Sequence, residues 1–337
     1  MSRPFSRVTS YDVARLAGVS QSAVSRCFKP GASVSRKMRE KVMKAANELN
    51  YTPNAIARGL ITRRSNMVAV VVSSRMNFYY PELLFQLTDK FSDRGVRVLL
   101  FNVNQEEDVG RHLSQIWQYQ ADGVISAAYL SIEQHRRLRG HNIPVVMFNR
   151  YFDDYATNSV WCDAGTATSE MIDHLINFGH RRFALLNGPE DSMVNRERMR
   201  LVRQALKRHD LEPVTQAWGN YRYESAAVAV QEIRNAGKKV TAIIAANDMM
   251  AMGALDEIRN VMGLSVPGDV SVVGFDGINA GRFASYELTT IRQPIRRMTE
   301  AAVAMLVDRM EEPDTTDEKR VLTGAFVQGT STGQAPA

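Results

Sequence analysis

At 337 residues the chain exceeds one typical domain and suits two or three, and its 45% hydrophobic content supplies a sizeable core, which excludes a disordered chain. The net charge of +6 is unevenly spread: residues 1–66 hold thirteen Lys/Arg against three acids, +10, and the remainder is 29 minus 33, or −4. Basic charge gathered in one small N-terminal module is the footprint of a polyanion reader, with a solvated basic tail as the alternative. Cys27 and Cys162 are too few for a metal cluster or a disulfide framework, so no metal or cofactor is expected. Met1–Arg7 has no apolar signal core and there is no apolar run of about 18 residues, so a cytoplasmic protein without membrane contact is expected.

In chain order, Thr9-Ser10-Tyr11-Asp12 fits a capping box, with Thr9 at N-cap and the acid at N3. A short helix through Asp12–Ala17, a turn containing Gly18 and a second helix from Gln21 to Phe28 form the helix-turn-helix pattern. Val13, Leu16, Val19, Val24 and Phe28 can share one small core, which leaves Gln21, Ser22, Ser25 and Arg26 on the open face of the second helix. A third helix is predicted from after Ser35 to about Asn50, because Met38, Val42, Ala45, Ala46 and Leu49 recur at helical spacing. Arg36, Lys37 and Arg39 lie in its first turn, where the helix dipole disfavours cations. A nearby phosphate backbone would reverse that penalty, so they read as positioning contacts, the alternative being a solvated helix start. Residues 53–66 read as a linker whose short helical segment around Pro53–Leu60 is marginal alone, Gly59 costing about 1 kcal/mol relative to Ala.

From Met67 the pattern becomes α/β. Strands are predicted at Met67–Val72, Val96–Asn102, Gly123–Ala127, Val145–Phe148, Phe183–Asn187, Ala242–Ala245 and Val270–Phe275. Helices are predicted between them at Pro81–Arg94, Gly110–Gln120, Ala164–Phe178, Arg196–His209, Glu224–Ala236 and Asp248–Met262. Short apolar strands alternating with helices imply parallel sheets covered on both faces, and the number of units suggests two similar open sheets. Ligands of such folds sit beyond the carboxyl ends of strands, here Ser73-Ser74, Asn149-Arg150, Asn187-Gly188, Asn247-Asp248 and Asp276-Gly277. No G-x-G-x-x-G, Walker A, G-x-S-x-G or H-E-x-x-H motif occurs, and the six histidines, among them His174 and His180, read as surface or helix-end residues, so an enzyme is not expected.

Several stretches together resemble the lactose/purine repressor (LacI) family: Val8–Ala14, Ala17–Ser20, Val24–Arg26, Asn50–Asn54, Ala245–Asp248, Val266–Asp276 and Leu288–Pro294. The resemblance runs in order over nearly the whole chain. It implies an N-terminal all-α helix-turn-helix domain (1–52) and a hinge helix with linker (53–66). After these comes an α/β core (67–337) of two Rossmann-like, periplasmic-binding-protein-like parallel-sheet subdomains, about 67–162 plus 294–322 and 163–293 plus 323–337. It implies a homodimeric transcription regulator, most commonly a repressor of catabolic genes, that reads a near-palindromic operator DNA. The residues it assigns to DNA are Thr9, Tyr11, Ser20, Gln21, Ser22, Ala23, Ser25, Arg26, Lys29 and Ser35, with Asn54, Ala57 and Leu60 in the hinge. Gln suits adenine, Arg suits guanine, and Leu60 would be a minor-groove wedge that kinks DNA. The effector-facing residues it implies are Tyr79, Tyr80, Asn149, Arg198, Tyr221, Asn247, Asp276 and Gln293, with helix capping as the alternative for Asn247-Asp248 and a surface ion pair for Arg198.

The chain departs from the family's pattern at Leu201, where Gly is common, at Gly277, where a second acid is common, and at Gln328, where Arg is common. Asn149 stands where an Asp often does and is followed by Arg150. Arg196, Arg198 and Arg200 suggest a pocket for an acidic ligand such as a sugar acid. A sugar-like effector is the main expectation; a purine or nucleoside corepressor, or a sugar-binding protein without regulatory role, is the alternative. No leucine-heptad extension follows Phe326-Val327, so a dimer is expected.

Overall fold

The structure, a computed structural model, describes residues 8–29, 31–53, 64–73, 79–103, 109–313 and 315–337. Asn54, Ala57 and Leu60 of the expected hinge lie outside the described residues. The chain divides into two compact units, Met1–Ser65 and Asn66–Ala337.

The first unit contains α1 (Ser10–Ala17), α2 (Gln21–Cys27) and α3 (Arg36–Glu48). Thr9 and Asp12 close the capping box: the Thr9 amide donates to Asp12 Oδ2 at 3.0 Å and the Thr9 hydroxyl to the same oxygen at 2.7 Å. The core joins Val13, Ala14, Val24, Cys27, Val42, Ala45 and Ala46, with Phe28 and Tyr51 packed edge to face at 5.8 Å. Leu16 departs from the sequence expectation. It is 48% exposed, because the interior of so small a unit is filled from α1 by Val13 and Ala14.

In the second unit the order is β1 (Met67–Ser73), α4 (Tyr79–Ser92), β2 (Arg97–Val103), α5 (Val109–Gln118), β3 (Gly123–Ser126), α6 (Ile132–Gly140), β4 (Val145–Phe148) and β5 (Asn158–Asp163). There follow α7 (Gly165–Asn177), β6 (Phe183–Asn187), α8 (Met193–Lys207), β7 (Thr215–Trp218), α9 (Tyr223–Asn235), β8 (Ala242–Ala245), α10 (Asp248–Asp256), β9 (Ser271–Asp276), β10 (Thr289–Arg292), α11 (Ile295–Glu311), β11 (Lys319–Thr323) and β12 (Ala325–Val327). Two six-stranded sheets result, ordered β11-β5-β4-β3-β1-β2 and β12-β10-β9-β8-β6-β7. All pairings are parallel except β12 against β10.

The central strands β1, β3, β4, β6, β8 and β9 are buried along most or all of their length, as their continuous apolar runs require. The chain passes from the first sheet to the second after β5, returns after β10 into α11, and ends with β11 in the first sheet and β12 in the second. Two of these crossings touch, the Gly324 amide donating to the Asp163 carbonyl at 2.8 Å. The helix expected to reach Met262 changes at Asp256 into a wider π turn, Glu257–Val261. His180 is also a correction: it is fully buried, its Nε2 within 3.0 Å of Ser271 Oγ and 3.1 Å of the Gly333 carbonyl, so it pins the C-terminal segment instead of facing water. Among the described residues no helix is long and apolar enough to cross a membrane.

Candidate functional site

In the first unit, the α2 face is set by its N-cap. Ser20 Oγ accepts from the Ala23 amide at 3.2 Å, which orients Ser22, Ser25 and Arg26 outward as exposed residues. Tyr11, Lys29 and Ser35 are exposed as well, and Ser35 Oγ caps α3 by accepting from the Met38 amide at 3.3 Å. Gln21 is half-buried and donates from Nε2 to Ser10 Oγ at 3.2 Å, so its amide is oriented across the two helices. Ala23 is the exception: at 3% exposure its side chain belongs to the core, since α2 turns it toward the same side as Val24 and Cys27.

The α3 cations are not equivalent. Arg36 pairs with Glu40 at 2.8 Å on an exposed surface. Arg39 turns inward and donates from Nη1 to the Cys27 carbonyl at 2.9 Å and from Nη2 to the Ala32 carbonyl at 3.4 Å. It ties the α2–α3 loop, and the phosphate-positioning role expected for it gives way to that structural one.

In the second unit, strand ends of both sheets meet at a cleft lined by Tyr79, Tyr80, Asn149, Arg150, Ser192, Arg198, Tyr221, Asp276 and Gln293, with Ser73, Ala127, Phe148 and Val194 completing the wall. Asp276 closes β9 and is only 4% exposed. Its Oδ1 accepts from Arg198 Nη2 at 2.5 Å and from Gln293 Nε2 at 2.8 Å. Arg198 also donates to the Ala246 carbonyl at 2.7 Å and lies over the Phe275 ring at 4.6 Å. Burial pushes the Asp276 carboxyl above the usual carboxylate range, opposed by the Arg198 charge and by hydrogen bonds from Arg198 and Gln293.

Asn149 carries the network across to the first sheet: its Nδ2 donates to Gln293 Oε1 at 2.6 Å, and its Oδ1 accepts from the Cys162 amide at 3.2 Å. The Tyr79 hydroxyl also reaches Gln293 Oε1, at 3.3 Å. Burial raises the phenols of Tyr79, Tyr80 and Tyr221, which keeps them neutral donors.

Two backbone positions shape this floor. Tyr221 adopts φ +61°, and a Cβ at Gly188 would lie 2.4 Å from its ring, so only glycine lets the ring seat there. At Gly277, φ +71°, a Cβ would come within 2.6 Å of the Arg292 backbone, which excludes the second acid common at this place.

The sequence-expected residues do not all reach the cleft. Asn247 is fully buried and absent from the cleft lining; its Oδ1 accepts from the Met250 amide at 2.9 Å and its Nδ2 donates to the Tyr221 carbonyl at 3.0 Å. It caps α10 and holds the Tyr221 backbone, so its expected direct ligand contact is replaced by support of Tyr221. Arg196 and Arg200 point away: Arg196 donates to the Glu190 and Asp191 carbonyls and Arg200 forks onto Glu197. Sequence reasoning missed Ser192, which caps α8 through the Asn195 amide at 3.2 Å and meets the Tyr221 hydroxyl at 2.9 Å. A serine three residues before Asn195 at the start of a helical run was the available signal.

Asp248, beside this floor, is fully buried, with Oδ1 accepting from Thr290 Oγ1 at 2.5 Å and Oδ2 from the Ile278 amide at 2.8 Å. Burial, with the neighbouring Asp276 charge, raises its carboxyl to about 7.

The family described as bacterial regulatory proteins, lacI family, matches residues 9–54, and the periplasmic binding protein-like domain matches residues 172–332. The transcriptional repressor PurR of Vibrio parahaemolyticus is 32% identical over 324 residues, 93% of this chain and 94% of that protein. The chain belongs to the lacI family of bacterial regulatory proteins. It is a DNA-binding transcription regulator built as helix-turn-helix helices plus two parallel-sheet subdomains. Among solved structures, the lac repressor dimer bound to operator and the anti-inducer ONPF superposes with a TM-score of 0.87 at 28% identity, covering 97% of this chain and all of that one. A complex of the transcriptional regulator CelR with cellobiose superposes at 0.72 with 28% identity, covering 96% of this chain and all of that one. Each is a likeness in fold and class.

Proposed function

We propose that this lacI-family member is a homodimeric repressor whose operator affinity is controlled by a neutral sugar-like effector in the cleft between the two sheets. The observation that carries this reading is the chain from buried Arg198, Asp276 and Gln293 to half-buried Asn149, which presents oriented donors and acceptors between both sheets. Vicinal hydroxyls, each a donor and an acceptor, are the ligand groups that such a row satisfies. Tyr221 adds aromatic surface for the apolar face of a ring. The Arg198 charge is met by Asp276, and Arg196 and Arg200 turn outward, which weakens the case for a sugar acid and leaves Arg150, donating to the Asn149 carbonyl at 2.8 Å, as the further cation on the cleft wall. The cellobiose-bound relative and the operator-bound lac repressor dimer support the same pairing of sugar, dimer and DNA.

DNA contact is assigned to the exposed Ser22, Ser25 and Arg26 of α2, with Gln21 beside them, and to Thr9, Tyr11, Ser20, Lys29 and Ser35 around it. Control follows by linkage: a ligand held by both sheets favours one relative orientation of the two, and it can shift operator binding only by its differential affinity for the two orientations.

The experiment is a thermal-shift panel of neutral sugars, sugar acids, sugar phosphates and purines on the full chain. A ligand at about 100 times its Kd stabilises by about 2.7 kcal/mol. The reading requires a neutral sugar to raise Tm and Asp276→Asn to abolish that rise. A rise given only by purines or by anionic ligands overturns it.

A further inference from the structure

Arg309 lies in the last turn of α11 and is only 8% exposed. Its Nε donates to Asn158 Oδ1 at 3.0 Å and its Nη2 to the Thr316 carbonyl, both neutral acceptors. Among the described residues no carboxylate stands within ion-pair distance of this guanidinium, and its Nη1 has no acceptor. The acid beside it, Asp317, is already engaged, accepting from Arg139 Nη1 at 2.7 Å and from Asn158 Nδ2 at 3.1 Å. A buried charge is costly unless a counter-charge or further hydrogen bonds offset its lost hydration.

Arg309 lines a cavity at the amino ends of β4 and β5, together with His135, Arg139, Asn142, Asn158 and Asp317. The effector cleft lies at the opposite end of β4, at Phe148, Asn149 and Arg150. The wall holds a second buried group with an unused atom. His135, 1% exposed, meets the Tyr155 hydroxyl through Nδ1 at 3.2 Å, and its Nε2 has no partner among the described residues. A Tyr155 hydroxyl that donates to Nδ1 leaves the ring proton on Nε2, a neutral donor. Burial, and then the Arg139 charge, hold this imidazole down to about 4 against the opposing pull of Asp317, so it is uncharged at neutral pH. Asp308, Glu312 and Glu318 line the adjoining opening, where Glu318 is forked by Arg320. One uncompensated cation within, and acids around the entrance, favour a singly charged anion over a multiply charged one.

We propose that this cavity is a second ligand site, which takes the carboxylate of a small monoanionic acid on the Arg309 guanidinium, with His135 Nε2 as a further donor. A planar carboxylate matches the guanidinium's donor geometry. Gln293 of the effector cleft lies just before the start of α11, and Arg309 lies about 21 Å along that helix, so the acid and the effector are separate molecules. The site is independent of what the cleft binds.

The test is calorimetry on the full-length protein with acetate, propionate and inorganic phosphate, at an ionic strength held constant with sodium chloride. Saturable binding of acetate and propionate is expected, tighter than that of phosphate. Arg309→Met should abolish it. Asn142→Asp adds a negative charge to the wall at a side chain that makes no hydrogen bond among the described residues, and should weaken acetate binding at least about fivefold. Asp276→Asn, in the other cavity, should leave acetate affinity unchanged. The absence of saturable acetate binding, or binding that survives both Arg309→Met and Asn142→Asp, overturns the site. Phosphate binding more tightly than either acid overturns the choice of a monoanion. Loss of acetate binding in Asp276→Asn places the anion in the effector cleft and overturns the assignment.

Discussion

Asp276→Asn is the most informative single change in the cleft. In the wild type the carboxylate is 4% exposed and meets Arg198 at 2.5 Å and Gln293 at 2.8 Å, while Arg198 is itself 8% exposed. The amide keeps the volume and one acceptor oxygen but removes the charge, leaving a buried guanidinium with the Ala246 carbonyl. A hydrogen bond to a charged group contributes about 1.5–3 kcal/mol, and removing one partner of a buried pair outright costs about 3–5 kcal/mol, so Asn should sit near the lower range and Ala near the upper. For a unit of this size, that lower range is a fall in Tm of roughly 4–10 °C. Arg198→Met should cost a similar amount, because it strands Asp276 in turn. The double variant should be less destabilised than the sum by about 1.5–3 kcal/mol, read by denaturant unfolding of all four proteins. Additivity within about 0.5 kcal/mol would show that the two side chains do not act as a pair and would refute the reasoning.

Three further outcomes are expected. Arg39→Ala should lower the stability of the helix-turn-helix unit by about 1.5–3 kcal/mol while leaving the salt slope of DNA binding unchanged, whereas Arg26→Ala or Lys29→Ala should reduce that slope by about one if the residue touches phosphate; an altered slope for Arg39→Ala would restore its phosphate role. Asn247→Ala should cost about 1 kcal/mol of stability through the lost α10 cap, and should weaken sugar binding only indirectly, through Tyr221; calorimetry showing loss of sugar binding at unchanged stability would contradict this. For Asp248, a carboxyl raised to about 7 from its usual 3.8 favours the protonated form in the folded chain, so its contribution is fully present below about pH 4 and is lost as pH rises toward 7. The difference in stability between wild type and Asp248→Asn should therefore shift against the wild type across that window. A pH-independent difference in Tm would contradict the assignment.

The central strands were legible because burial on both faces demands continuous apolar runs such as Val68–Val72 and Ala242–Ala245. The strands that escaped, β5, β7, β10, β11 and β12, are short, polar or at sheet edges; β11, Lys-Arg-Val-Leu-Thr, alternates exposed and half-buried positions and carries no apolar run. α6 escaped because its residues are mostly Arg, Glu, Gln and His; α11 carried a readable apolar stripe, Met298, Ala302, Met305 and Leu306 at helical spacing, and was missed although periodicity could have found it. At the cleft, an acid closing β9 and an arginine on α8 were visible as residue types. Side-chain direction was less so. Arg196 and Arg200, four apart, share one face of α8, and Arg198 lies about 200° round from Arg196, so helical periodicity alone separates the inward arginine from the outward two. Asn247 was ambiguous because one carboxamide serves a helix cap and a ligand equally well, and only the position of Met250 and Tyr221 decides.

The most direct measurement is an anisotropy titration at fixed salt, using labelled duplexes selected from a random pool by the full-length protein, with and without a saturating amount of the neutral sugar that gives the largest thermal shift. The account predicts that the sugar changes duplex affinity by at least about fivefold, and that the duplex changes sugar affinity by the same factor. A sugar that binds the cleft, as shown by its loss in Asp276→Asn, yet leaves duplex affinity unchanged would contradict it.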